Sequence, residues 1–275
     1  MVEIIREMLS FTFLARALMV GFLVSLCAAL LGVNLVLKRY AMIGTGLSHV
    51  GFAAMVIAMV LDFAHFTLTL PIVVLAAFLL LRLSENSKIN GDSAVALIST
   101  SSMAIGIIIV TQTTGFNASV CTVMFGSILA MTRADLHLSI GLSAVVLILF
   151  VLFYKQLFAV THDETFARAT GTKVGVYKSL LALLTAVTVV LGMRMMGAML
   201  IASLTIFPAL SAMRLCKRFL SVVITSAVVA VVCFFAGMVL SYTHNLPPGA
   251  SVVAVNLAIF LLFSGVAFVK QGGRA

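Results

Sequence analysis

Read for polarity, the chain is a succession of long uncharged stretches separated by short polar ones. The uncharged stretches run over residues 17–37, 43–61, 65–81, 93–110, 136–153, 179–193, 195–213, 219–240 and 250–269. Most approach the roughly 20 residues with which a helix crosses a hydrocarbon core about 30 Å thick. The stretch 179–193 is short, but Lys178 and Arg194 bracket it and can snorkel their charges to the two interfaces. The apolar runs are continuous, without the alternating segments of about ten residues that barrel strands require. The pattern therefore predicts an all-α, polytopic membrane protein with about eight or nine spans and a single domain over residues 1–275. "VCTVMFGSILAM" (120–131) is apolar but too short to cross comfortably, which predicts a re-entrant or partial helix.

Composition agrees: 63% of the 275 residues are hydrophobic and 9% charged, with a mean hydropathy of +1.27, values foreign to a water-soluble domain. The N-terminal "MVEIIREMLSFTFLAR" carries Glu3 and Glu7 and lacks a compact apolar centre, so it reads as the lead into the first span rather than a cleavable signal. The net charge of +9 reads as the positive-inside bias of a membrane protein and not as a nucleic-acid footprint. Basic residues gather at Lys38 and Arg39, at Arg82 and Lys88, from Lys155 to Lys178, at Arg214, Lys217 and Arg218, and at Lys270 and Arg274. "YTHNLPPG" (242–249) has none, which places it outside and the C-terminus inside; nine spans then put the N-terminus outside, and a spanning 120–131 would reverse it. Cys27, Cys121, Cys216 and Cys233 show no C-x-x-C spacing and read as packing thiols.

The longest polar interruption, "YKQLFAVTHDETFARATGTKVGVYK" (154–178), carries helix signals of its own. Thr161 and Glu164 form a T-x-x-E capping box, Asp163 adds negative charge to the first turn, Phe166 and Ala167 supply an apolar patch, and Gly171 is a stop. These predict a short amphipathic helix at the cytoplasmic surface, either a plain solvated connector or a docking element for a soluble partner.

Chemistry inside the spans is sparse. The chain has no G-x-x-x-x-G-K-[ST], H-E-x-x-H or G-x-S-x-G motif, so energy from ATP must enter through another subunit. An ionisable side chain in hydrocarbon is costly and hence a functional candidate. His49 is the clearest, with Thr45 one turn earlier on the same face and Gly44, Ser48 and Gly51 forming a small-residue stripe beside it. Such a histidine is either a hydrogen-bonded packing residue or a metal ligand, with twofold pairing completing the coordination. Asp92 follows Gly91 at a span start, where N-capping is the simpler role. Pro208 interrupts "LTIFPALSAMR" as a kink beside a cavity or as a packing device. Asn34 and Asn256 are candidates for hydrogen bonds between helices, and His65, His137, His162 and His244 read as solvated.

Several stretches, taken in order, resemble a known family, the membrane permeases of bacterial ABC importers for zinc, manganese or iron. They are "LKRYAMIGTGLSHVGFA" (37–53), "GDSAVALISTSSMAIG" (91–106), "MFGSILAMTRADL" (124–136), "FAVTHDETFARATG" (158–171), "MMGAMLIASLTIFPALSAMR" (195–214) and "LPPGASVV" (246–253). The resemblance implies a type II importer-like permease in the bacterial inner membrane. Its partners would be a second copy of itself, a cytoplasmic ABC ATPase, an extracytoplasmic metal-binding protein and membrane lipid. No permanently bound cofactor is implied, and a divalent transition metal is the cargo. The segment at about 155–177 would be the loop coupled to the ATPase, through Thr161, His162, Asp163, Glu164, Phe166, Ala167 and Gly171, and charge reversal at Asp163 and Glu164 is expected to uncouple it. The family pattern G-D-x-L-S-H reads here Gly44-Thr45-Gly46-Leu47-Ser48-His49, so the histidine is kept and threonine replaces aspartate. A dimer would then offer two hydroxyls and two imidazoles, a weaker or differently selective site. The rival readings are a secondary transporter or channel with His49 as relay, a permease for a larger solute, and a membrane enzyme using Ser48 and His49. The enzyme is disfavoured because adjacent helical residues point about 100° apart.

Overall fold

The computed structural model describes residues 12–61, 65–86, 91–113 and 133–272. Among them lie the helices α1 (Thr12–Leu37), α2 (Ala41–Val60), α3 (His65–Asn86), α4 (Gly91–Thr113), α5 (Arg133–Leu152), α6 (Tyr154–His162), α7 (Glu164–Ala169), α8 (Val174–Met196), α9 (Ala198–Leu215), α10 (Phe219–His244) and α11 (Pro248–Gly272). Each uncharged stretch of the sequence falls on a helix. Among the described residues seven helices are long and apolar enough to cross a membrane, the α5–α6 pair, bent by 68°, makes an eighth if counted as one span, and α3 contributes a shorter apolar segment, Leu68–Ser84. The segment 120–131 lies outside the described residues, as does His65 beyond its backbone. One boundary differs from the sequence reading. The break between α8 and α9 falls at Gly197, not at Arg194, because the backbone there takes φ 87°, a conformation that only glycine adopts without strain.

A groove of about 650 Å³, lined by Leu37, Phe158, His162, Met213, Lys217 and Phe219 among others, brings the end of α1, α6, the end of α9 and the start of α10 to one side of the bundle. The basic residues Lys38, Lys155, Arg214, Lys217 and Arg218 occur in these same segments, so the positive-inside bias makes this side cytoplasmic. The connection 245–247 between α10 and α11 then lies opposite, where no lysine or arginine interrupts the chain.

Within a bilayer, helix association depends on close packing rather than on burial of apolar surface, and small residues permit it. α2 and α4 lie parallel: a side-chain carbon at Gly46 would come within 2.8 Å of Val95 Cγ1, and one at Gly106 within 2.6 Å of the Phe52 ring. On its other sides α2 meets α9 at Gly44, which faces Thr205, and α8 at Gly51, which faces Met193. Gly106→Val is expected to push α4 off α2 and cost about 1–3 kcal/mol, measurable as a lowered midpoint of thermal unfolding in detergent.

Candidate functional site

Two regions hold the functional candidates: the middle of α2 and the cytoplasmic elbow formed by α6 and α7. On α2, His49 is half-buried and its Nδ1 lies 2.5 Å from Ser99 Oγ on α4. The parallel approach at Gly46 and Gly106 is what brings these two side chains together. When Nδ1–H donates to the serine oxygen, the Nε2 lone pair is left to an incoming ion; in the other tautomer the serine hydroxyl donates to Nδ1. Thr45 is half-buried one turn earlier, and Ser48 is fully buried with its hydroxyl donating to the Thr45 carbonyl at 2.8 Å. That bond turns Ser48 inward to its own helix, away from the role of a nucleophile. Among the described residues no cluster of three or more His, Cys, Asp or Glu side chains forms a metal site. His49, with Thr45 one turn earlier, is thus the candidate contact that α2 carries.

Ser99 was not singled out by the sequence reading. Its signal was the hydroxyl run "STSS" (99–102), unusual in mid-span but equally compatible with back-bonding to the helix. Thr100 does the latter, donating to the Ala96 and Leu97 carbonyls. Asp92 is the second residue of α4 and exposed, so it does not precede the helix as a cap; it complements the positive N-terminal end of the helix dipole. Pro208 is buried inside α9, which stays assigned as one helix through it. Asn256 donates only to Val252 of its own helix, whereas Asn34 on α1 accepts a hydrogen bond from Thr161 on α6.

At the elbow the sequence predicted the helix but misassigned its cap. Thr161 lies inside α6, and its hydroxyl donates to Asn34 Oδ1 at 2.9 Å instead of capping α7. The cap is Asp163, whose Oδ1 accepts from the backbone N–H of Thr165 (2.9 Å) and Phe166 (3.1 Å) and from the Thr165 hydroxyl (2.6 Å). The reason is steric register: two residues after the cap are enough for an aspartate to reach N2 and N3, and Asp163 alone has the extended backbone a cap requires. The Thr165 side-chain bond and then the Phe166 amide hold the Asp163 carboxyl below its ordinary pKa. Gly171 ends the helix with φ 80°, while Thr172 N–H donates to the Ala167 carbonyl and Gly171 N–H to that of Arg168. This is a Schellman closure that relies on glycine's left-handed freedom.

Glu164 is likewise not a capping residue. Its two oxygens take Lys38 Nζ at 2.7 Å and Lys178 Nζ at 2.6 Å. The lysine side chains are only 5% and 8% exposed, so Lys178 does not snorkel to water as its position at the span end suggested. Partial burial pushes the Glu164 pKa up, but the hydrogen bonds and charges of Lys178 and Lys38 outweigh it and leave the pKa lowered. The bridge therefore contributes stability at every pH above the ordinary glutamate range and loses it only as pH falls through the lowered value. Ala167 is buried against Val160 and Val174, which seats α7, while Phe166 is left 63% exposed beside exposed Asp163, Thr165 and Arg168. His162 is exposed with its ring stacked on Phe158 at 5.7 Å.

Comparison with known proteins gives a consistent set of likenesses. Residues 10–267 match the model of a family described as the ABC 3 transport family. The manganese transport system membrane protein MntC of Halalkalibacterium halodurans is 30% identical over 256 residues, covering 93% of this chain and 88% of that protein. The high-affinity zinc uptake system membrane protein ZnuB of Haemophilus influenzae is 27% identical over 92% of this chain and 97% of its own length. Among solved structures, PsaBC from Streptococcus pneumoniae in complex with Fab superposes with a TM-score of 0.84 at 28% identity, covering 95% of this chain and 94% of the other.

Proposed function

The chain belongs to the ABC 3 transport family, and from that premise we infer that it is the multi-pass subunit, in the cytoplasmic membrane, of an ATP-driven importer of a divalent transition metal. The observation that carries this reading is the family match over residues 10–267, joined to manganese and zinc permeases that align over more than nine-tenths of this chain. A secondary transporter using His49 as a relay is not favoured by that membership. The permease itself hydrolyses nothing; ATP is consumed by a separate cytoplasmic subunit.

In this reading α7 is the docking helix for that ATPase. The support is its location on the basic, cytoplasmic side and the exposed Phe166 on a helix whose other face is buried. His49 is the ion contact midway along α2, Thr45 is the neutral oxygen beside it, and a second copy of the chain supplies the matching pair, since a single chain offers too few ligands. Gly44, Ser48, Gly51 and Pro208 serve packing around that route, an extracytoplasmic metal-binding protein delivers the ion on the opposite side, and the spans are sealed by lipid. No cofactor is held permanently: the metal is cargo, and a pathway site must release its ion as well as accept it. With two carboxylates fewer than the family pattern, transit here favours ions that bind imidazole well over those that demand oxygen anions.

The test is to co-purify the chain with its ATPase and binding protein in proteoliposomes and to measure ATP hydrolysis with manganese, zinc and iron in turn. One of these ions is expected to stimulate hydrolysis and to accumulate inside. Transport of the ion by the purified chain alone, without ATPase or ATP, would refute the reading.

A further inference from the structure

We propose that Glu164 and Lys38 form the positioning link through which movement of α7 reaches α2; this rests on α7 being the ATPase contact and α2 the ion contact. Glu164 is the first residue of α7, yet its carboxylate turns into the protein and is shared between Lys38 of the α1–α2 turn and Lys178 of α8. Three segments distant in sequence therefore meet at one carboxylate. Parting Glu164 from Lys38 or Lys178 takes this counter-charge from a lysine whose side chain is only 5% or 8% exposed, which is costly, so the three segments are held together.

From Lys38 to α2 there is little slack. Arg39 adopts φ 61°, its N–H donates to the Val36 carbonyl, Tyr40 N–H donates to that of Leu35 at 2.8 Å, and Ile43 N–H donates to that of Tyr40. The turn is thus hydrogen-bonded on both sides and passes displacement of Lys38 to the start of α2, one turn from Thr45 and two from His49. A second tie runs parallel to it. Asn34, fully buried one turn before Lys38 on the same face of α1, accepts the hydrogen bond from Thr161 of α6. Thr205 of α9 then sits between α1 and α2: its carbonyl presses on Gly32 and its hydroxyl faces Gly44, the residue before Thr45. Lys178 reaches α2 from the other side, because α8 also carries Met193, which packs on Gly51 two residues after His49. The Thr205 contacts at Gly32 and Gly44 bring α9 against α1 and α2 without a long flexible side chain between, so that part of the link is stiff.

Lys38→Met tests the link while leaving Glu164 paired with Lys178. The native permease and the variant are each purified with the ATPase into proteoliposomes supplied with the metal-binding protein, and ATPase retention, ATP hydrolysis and ions moved per ATP are measured. The variant is expected to hold the ATPase and hydrolyse ATP at the native rate, with ions moved per ATP falling about tenfold, and Lys38→Arg is expected to restore most of the loss. Should Lys38→Met not accumulate, Lys38→Gln, which keeps a donor toward Glu164, takes its place. Ions per ATP within twofold of native, or loss of ATPase retention in place of uncoupling, overturns the link. A native complex that moves no metal overturns the functional reading beneath it, a result that the native arm alone reveals.

Discussion

Replacing His49 with alanine is expected to lower metal uptake about tenfold or more in cells that express the complete transporter. His49 is the only His, Cys, Asp or Glu on α2, and the Thr45 hydroxyl one turn earlier is too weak a donor to hold a divalent ion by itself. Removal leaves a path with nothing to offset the lost hydration of the ion. Ser99→Ala is expected to produce a smaller loss of a few fold, because the ring stays but is no longer oriented by the bond at Nδ1. Thr45→Asp acts in the other direction at low ion concentration: a carboxylate tightens capture and shifts preference toward harder ions such as manganese, at the expense of release. Uptake of radioactive or isotopically labelled metal at several concentrations separates these effects. Native uptake in His49→Ala would sink the ligand assignment, whatever Thr45→Asp does.

The second large effect is expected at Phe166. An aromatic ring 63% exposed on a helix at the cytoplasmic face, on an element otherwise fastened to the protein through Ala167 and Glu164, has the character of a docking anchor. Phe166→Asp should reduce ATPase retention at least about tenfold, the loss of one anchor residue, and ATP-driven uptake should fall with it. Accumulation of the permease in the membrane should be unchanged, since a ring so exposed supports little of the fold. Full retention of the ATPase by this variant would remove α7 from the interface. Phe166 is a cleaner probe than charge reversal at Asp163 and Glu164. Those two carboxylates hold the helix start and the lysine bridge, so reversing them would damage the element rather than test its surface.

Much of this arrangement was legible in the sequence because hydrocarbon enforces a simple code. A run of apolar residues must form a helix to satisfy its own backbone, and each of the nine long uncharged stretches falls on one. Gly171 was readable for a similar reason, since a helix end needs a residue that tolerates positive φ. What could not be read was which side chain meets which across the fold. Lys178 and Glu164 each carry a local explanation, an interfacial cation and a capping acid, and only the distance of 2.6 Å between them replaces both. Asn34 and Asn256 look alike in sequence, yet the elbow happens to pass one and not the other. Ser99 became visible only when the parallel packing of α2 and α4 set it against His49.

The glycines of α2 also limit how far the helix can travel. Val95 and Met193 occupy recesses that exist only where Gly46 and Gly51 lack a side chain, and such a recess is about one residue long. Sliding α2 by one helical turn, about 5.4 Å, would bring Val50 toward Val95 and Met55 toward Met193, or in the other direction Met42 and Leu47, because residues four apart follow one another on a helix face. The stroke available to His49 by translation is therefore less than about one helical turn, well short of a hydrocarbon core about 30 Å thick. A displacement of that size cannot carry an ion across, so if His49 is the ion contact, passage is expected to come from water-accessible space opening on either side of it.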